Sequence, residues 1–331
     1  MTILVTGGAG YIGSHTVRLL REHGHEVVVL DTMEFGHAEA IEGTPLVIGD
    51  IADQDLVAKT VASYGVDGVI HFAAYKAAGE SVQQPGRYFV NNVAGSAFLL
   101  EALERAGVKR LVFSSTCAVY GTPERLPVDE DQPVRPESPY GETKALVERM
   151  LHWYDVTKNW RYASLRYFNA AGAAPDGSAG EDWSTTLNLV PLVMKALLGR
   201  APEVKVFGTD YATPDGTAVR DYIHVDDLAT AHLRALEHLS SGGRSDVFNL
   251  GTGTGSSVRQ VLAAAERAAG RPVPASDAPR RAGDPVALYA DNSKARSVLG
   301  WAPKYELDDI VASAWAWHSS HPDGYGSQER S

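Results

Sequence analysis

With 331 residues, 44% of them hydrophobic and 21% charged, the chain can bury a sizeable core and form one large α/β domain with a smaller one appended. Acids outnumber bases 41 to 30, a formal net charge of −11, which argues against nucleic-acid or anionic-membrane binding through the overall field and requires any bound phosphate to be countered locally. The single cysteine, Cys117, excludes an intrachain disulfide and a cysteine-based metal framework. No apolar run approaches the ~18 residues of a membrane span, and the first strand begins by Ile3, so a cytoplasmic protein without a metal, a nucleic-acid partner or a membrane partner is expected.

From the N-terminus to about Phe168, short β-branched runs alternate with amphipathic segments of helical length. The runs are ILVT (3–6), EVVVLD (26–31), PLVIGD (45–50), DGVIHFA (67–73), KRLVFSS (109–115) and RYASLRYF (161–168). Such alternation predicts a parallel sheet wrapped by helices, a Rossmann-type doubly wound α/β domain over residues 1–168. Beyond it the pattern loosens, with Gly- and Pro-bearing loops around 172–182 and 208–218. Further elements EVKVF (203–207), AVRDYIHV (218–225) and DVFNLG (246–251) then mark a smaller C-terminal α/β substrate-binding domain over 169–331, some segments returning to the first. The closing HPDGYGSQERS reads as a frayed tail.

The first strand runs into TGGAGYIGSH, with glycines at 7, 8, 10 and 13. Glycine is required where a backbone turns tightly, approaches a pyrophosphate and lets a helix pack closely on the strand. The helix YIGSHTVRLLREHG then presents its N-terminal N–H groups to an anion. Asp31 ends the second strand 18 residues past Gly13, where a carboxylate accepts from adenosine ribose hydroxyls and repels a 2′-phosphate, so NAD is expected rather than NADP.

In SPYGETKALVE (138–148), Tyr140 precedes Lys144 by four residues, on one helical face. FSST (113–116) ends the fifth strand at the same carboxyl edge and offers the hydroxyl of Thr116 or Ser115. A tyrosine, with an ordinary pKa of about 10, becomes a useful base only beside positive charge; Lys144 and an oxidised nicotinamide are suitable cations. His71 stands in an apolar strand and takes no catalytic part. YIHVDDLA offers His224, Asp226 and Asp227 at metal-like density, where helix capping is the expected role.

The combination of VTGGAGYIGSHT, GDI, VIHFAAYKAAGESVQ, NNV, FSSTCAVYG, SPYGETK, LRYFNAAGA, GED, FGTDYATPDGTAVRDYIHVDDLA, NLGTG and APRRAGDP resembles the extended short-chain dehydrogenase/reductases, in particular those that invert C4 of UDP-hexoses, over nearly the whole chain. The resemblance implies a NAD site of Gly7, Gly10, Tyr11, Ile12, Gly13, Asp31, Asp50, Ile51, Phe72, Ala73, Lys76, Asn91, Ser114, Tyr140, Lys144 and Phe168. It implies UDP-sugar contacts at Thr116, Asn169, Asn188, Leu189, Lys205, Val206, Phe207, Arg220, Arg281 and Asp284, with Leu288 at the position that limits sugar size. Arg220 and Arg281 suit a diphosphate in an acidic protein. The catalytic set would be Tyr140, Lys144 and Thr116. The implied activity is interconversion of UDP-glucose and UDP-galactose through C4 oxidation, rotation of the 4-keto sugar and reduction on its other face.

The resemblance also implies a homodimer built on helices near 86–106 and 140–157. Another nucleotide-sugar epimerase, a 4,6-dehydratase and a catalytically silent NAD sensor are the alternatives. Cys117 and Ala118 disfavour the dehydratase, because they stand where that branch carries an Asp-Glu pair.

Overall fold

The computed structural model describes residues 1–183, 186, 188–281 and 285–326. Through the first half run β1 (Thr2–Thr6), β2 (Glu26–Asp31), β3 (Leu46–Ile48), β4 (Gly68–His71), β5 (Arg110–Thr116) and β6 (Arg161–Tyr167). After them come β7 (Asn169–Ala171), β8 (Val204–Phe207), β9 (Val219–Arg220), β10 (Tyr222–His224), β11 (Asp246–Leu250), β12 (Ser256–Ser257), β13 (Ala275–Ala278) and β14 (Ala287–Leu288).

One seven-stranded sheet has the order β11-β6-β5-β4-β1-β2-β3, with every pairing parallel. The chain winds outward from β1 to β3, then returns to start again at β4 beside β1. The carboxyl ends of β1 and β4 therefore flank the crevice where doubly wound sheets bind ligands. Alternate residues of β1 enter different layers. Ile3 and Val5 pack with Val17, Leu20, Leu228 and Leu233 on one face, while Leu4 packs with Val57, Val61, Leu99 and Leu103 on the other. Burial of both faces explains why these strands read as continuous apolar runs.

A second core joins the helices Leu189–Leu197, Val258–Ala269 and Leu307–Ser320 through Val193, Met194, Val261, Ala265, Ile310 and Ala314. Three small sheets border it: β10-β7, β12-β9-β14 and β13-β8. No helix among the described residues is long and apolar enough to cross a membrane.

Three of the later elements take a definite place. DVFNLG becomes β11, which extends the large sheet by pairing with β6; Phe248 and Leu250 join the core of that sheet rather than that of the second unit. AVRDYIHV divides at Asp221 into β9 and β10, which belong to different sheets. The buried Asp221 carboxylate ties this division down, accepting from the backbone N–H groups of Thr252 and Ala290 at 2.8 and 3.1 Å. The tail does not fray as far as Gly326. Tyr325 stacks on His37 with ring centroids 4.8 Å apart, and its hydroxyl bonds the backbone of Gly180 at 3.0 Å.

Candidate active site

The loop after β1 enters the helix Tyr11–Glu22 at Gly10. Gly7 has φ +70°, and a Cβ there would stand 2.6 Å from the backbone nitrogen of Ala73 at the end of β4. Gly10 differs: a Cβ would meet nothing in the protein closer than 3.4 Å. The space above Gly10 is therefore open to a ligand, as a cradle for a pyrophosphate at a helix N-terminus must be. Asp31 turns its carboxylate onto this loop, accepting from Ala9 N at 3.0 Å and from Met33 N at 2.9 Å, and burial raises its pKa. Each oxygen keeps a lone pair for a ribose hydroxyl.

Other expected cofactor residues line the same edge. Phe72 and Ala73 follow β4 with both N–H groups donated to the Thr6 carbonyl. Ile51 is buried, whereas the exposed Asp50 carboxylate is engaged with Ala52 N at 2.8 Å. Lys76 is mostly exposed, its ammonium 3.9 Å from the buried Glu181. Tyr11 donates to the Gly172 carbonyl at 2.6 Å, linking the first helix to the loop after β7, and Ile12 lies beside it, packed on the core. Asn91 sits in a π-helical turn, Phe89–Ala94, an irregularity common at functional sites.

The helix Pro139–Lys158 begins abruptly because Ser138 Oγ accepts from Gly141 N at 3.1 Å and Pro139 takes the first helical position, where a missing N–H costs nothing. Tyr140 thus lies in the first turn and Lys144 one turn later, both against the end of β5. The Lys144 ammonium, 3% exposed, donates to the Ser114 carbonyl at 2.8 Å and lies 4.9 Å from the centre of the Phe113 ring. Burial lowers its pKa to about 7 while Glu148 opposes the shift. Burial, then repulsion from Tyr167, raises the pKa of Tyr140; a hydrogen bond with the Thr116 side chain works the other way. The protein's own groups therefore leave Tyr140 protonated, and a further positive charge is needed to make it a base. The Ser114 hydroxyl bonds Tyr167, and Thr116 Oγ1 accepts from Ala118 N at 3.2 Å.

On the opposite wall, β14 runs parallel to β9 and pairs Leu288 with Arg220. Leu288 packs on a cluster containing Cys117, Val119, Ala145 and Phe168, which brings it next to the end of β5. Asn169 follows Phe168 and donates its N–H to the Asp221 carbonyl at 2.9 Å. Arg281 lies 3.9 Å over the Phe207 ring, and Val206 is buried beside it. Asn188 precedes the helix that begins at Leu189, its amide 3.2 Å from Glu181 Oε1. Lys205 is drawn to the outer edge, bonded to Glu203 and to Ser276, so its ammonium is turned away from these groups. Asp284 lies outside the described residues.

The histidine–aspartate run serves the fold. His224 caps its helix by accepting from Asp226 N, Asp226 binds His15 and Arg18, and Asp227 accepts from the backbone of Lys304 and Tyr305. Sequence reasoning passed over Asn92, whose amide joins the Tyr75 backbone to Thr143 Oγ1, the latter donating to the Tyr140 carbonyl at 2.7 Å. It also passed over Glu148 and Arg166, although Glu148 ends the very stretch that holds Tyr140 and Lys144.

The NAD dependent epimerase/dehydratase family matches residues 3–251. A UDP-glucose 4-epimerase of Halalkalibacterium halodurans is 49% identical over 331 residues, 100% of this chain and 99% of that protein. Among solved structures, UDP-glucose 4-epimerase from Brucella ovis in complex with NAD superposes with a TM-score of 0.94 at 46% identity, covering 95% of this chain and 97% of that one. The Stenotrophomonas maltophila enzyme with bound NAD and formylated UDP-arabinopyranose also gives 0.94, at 43% identity over 97% of this chain and 99% of the other.

Proposed function

The chain belongs to the NAD-dependent epimerase/dehydratase family, and from that premise we propose how its own residues carry out the reaction. The activity is that of a UDP-glucose 4-epimerase, an isomerase with NAD as its cofactor. The observation that carries the assignment of roles is the convergence of Tyr140, Lys144 and Thr116 at the end of β5, in the sheet whose first strand leads into a glycine loop left open at Gly10.

When bound, NAD supplies a hydride acceptor and donor for C4 of the hexose and, in its oxidised form, a positive charge that favours the Tyr140 phenolate. Tyr140 takes the proton from the O4 hydroxyl and later returns it to the opposite epimer. Thr116 holds O4 in line with that proton transfer. Lys144, fixed on the Ser114 carbonyl, adds the second positive charge that the raised Tyr140 hydroxyl requires. Arg220 and Arg281 hold the diphosphate, so that the hexose and not the nucleotide turns over between the half-reactions.

Leu288, paired with Arg220, forms an apolar wall beside the sugar. An acetamido group would find no hydrogen bond there, and UDP-hexoses are preferred over their N-acetyl forms. The protein acts as a cytoplasmic homodimer. The π-helical turn and the helix Gly95–Ala106 lie beside the helix Pro139–Lys158, and together they expose Val90, Phe98, Trp153 and Val156, an apolar surface suited to a second copy.

Incubation of the purified protein with UDP-galactose forms UDP-glucose without NADH accumulating in solution. Tyr140→Phe keeps the ring and removes only the proton acceptor, so the rate falls by about 10²–10⁴ while NAD stays bound. Full activity in that variant would remove Tyr140 from proton transfer, and stoichiometric NADH release would indicate a dehydrogenase.

A further inference from the structure

The helix that carries Tyr140 and Lys144 presents a third ionisable group on the same face, Glu148, one turn beyond the lysine. It is buried, and both of its oxygens are engaged. Oε1 accepts from Ser115 Oγ at 2.6 Å and from Arg166 Nε at 2.9 Å, while Oε2 accepts from Arg166 Nη2 at 2.5 Å. Arg166, on β6, also donates to the Tyr120 hydroxyl at 2.9 Å, which donates in turn to Asn249 Oδ1 at 2.8 Å. All five partners of this chain are buried.

A stabilising role does not account for such a pair, because apolar residues of similar volume serve a core equally well or better. Its placement is more telling. Ser115 is the residue before Thr116, so the carboxylate grips the strand end that carries the catalytic hydroxyl. The guanidinium, besides its two bonds to the carboxylate, lies over the Tyr120 ring, 4.9 Å from its centre. Of the two charges, the carboxylate shares the helix of Lys144, one turn beyond it, while the guanidinium stands on β6.

We propose that Glu148, held by Arg166, is a positioning residue for the reaction: it keeps Lys144 as an ammonium and, through Ser115, fixes the strand end bearing Thr116. This rests on the roles given above to Tyr140, Lys144 and Thr116. Several groups surround the lysine besides Glu148. Tyr140 shares its helix, His71 lies on β4, the Ser114 carbonyl on β5, and Arg166 and Tyr167 on β6. His71 is held neutral between Thr6 and Ser96, and Arg166 and Tyr167 bring no negative charge. Glu148 is the anion that offsets the cost of burying the ammonium.

The test measures kcat and KM for UDP-galactose between pH 6 and 9 in holoenzymes of the wild type, Tyr140→Phe, Glu148→Gln and the paired variant Glu148→Leu with Arg166→Met. Glutamine keeps the volume and, through its carbonyl oxygen, the bonds from Ser115 and Arg166 Nε, but loses the negative charge and the acceptor for Arg166 Nη2; the paired variant removes both charges and carries the test if the single variant does not fold. Both retain NAD and a KM within about twofold of wild type, and the alkaline limb of kcat moves down by about one pH unit; the paired variant, which also loses the Ser115 bond, adds a fall in kcat that is the same at every pH. Activity of Glu148→Gln then falls about tenfold at pH 8 but only about twofold at pH 6. An equal loss at every pH would show that Glu148 acts through Ser115 and packing without holding the charge of Lys144 and overturn the proposal, as would an unchanged profile. An inactive wild type would overturn the function itself, and an active Tyr140→Phe the roles on which the proposal rests; neither resembles an unshifted limb in an active enzyme.

Discussion

Gly7→Ala and Gly10→Ala differ by one methyl group in the same loop and should fail in opposite ways. At Gly7 the backbone is left-handed, which costs an L-residue about 1–2 kcal/mol, and the new Cβ would lie 2.6 Å from Ala73 N and 2.8 Å from Ala73 Cα. Neither atom can move without displacing the end of β4, so a total destabilisation of roughly 2–4 kcal/mol is expected. At Gly10 the backbone is extended, φ −79° and ψ 177°, and the nearest protein atom is 3.4 Å away, an ordinary contact. Alanine is a poorer N-cap by about 0.5–1 kcal/mol, but it restricts the unfolded chain by about 0.4–1 kcal/mol; the two nearly cancel. Its methyl instead occupies the cradle. Loss of two N–H bonds to a pyrophosphate, at about 1.5–3 kcal/mol each, weakens NAD binding by at least about 10²-fold.

The assay is thermal melting of NAD-stripped protein together with the NAD content of freshly purified protein. Gly7→Ala lowers the melting temperature of the stripped protein. Gly10→Ala melts like wild type yet carries little NAD. Full NAD content in Gly10→Ala, or an equal loss of stripped-protein stability in both variants, would refute the reading of this loop as a cofactor cradle.

Leu288→Ser gives the wall a hydrogen-bonding group and should raise the rate on UDP-N-acetylglucosamine relative to UDP-galactose, checked with both sugars on one preparation; an unchanged ratio would remove Leu288 from the pocket. Burial holds the His71 pKa at about 3, below its ordinary 6.5, so the native state binds fewer protons than the unfolded one between those values. That stability is fully present above pH 6.5 and is lost as pH falls, amounting to about 2 kcal/mol at pH 5. Melting curves at pH 7 and 5 should show a smaller acid loss in His71→Gln. Trp153→Glu places a charge on a side chain 62% exposed on the proposed dimer interface and, on that proposal, should shift the mass measured by light scattering from dimer to monomer, with the melting of each subunit little changed; an unchanged mass would remove this surface from any interface.

Much of the fold and the first half of the site are local in sequence. The glycine loop, Asp31 at the end of β2 and the four-residue step from Tyr140 to Lys144 depend on turn sterics, strand period and helical period, each of which acts over a few residues. For the same reason Ser138 and Pro139 announce the helix that aims Tyr140 at β5. The composition likewise required local arginines for any phosphate, since the overall field is negative.

The remainder depends on which distant segments meet. That DVFNLG joins the large sheet is decided by the edge of β6 and the burial of Phe248, and its own alternation suits either unit. The division of AVRDYIHV at Asp221 requires the N–H groups of residues 252 and 290, and the pairing of Leu288 with Arg220 requires β9 and β14, 68 positions apart, to lie side by side. Glu148 looks like a solvated helical carboxylate until β6 sets Arg166 against it and β5 places Ser115 beneath it. A lone side chain carries its chemistry in the sequence; its ionisation and its partners are set by the dielectric and the groups that only the packed chain brings around it.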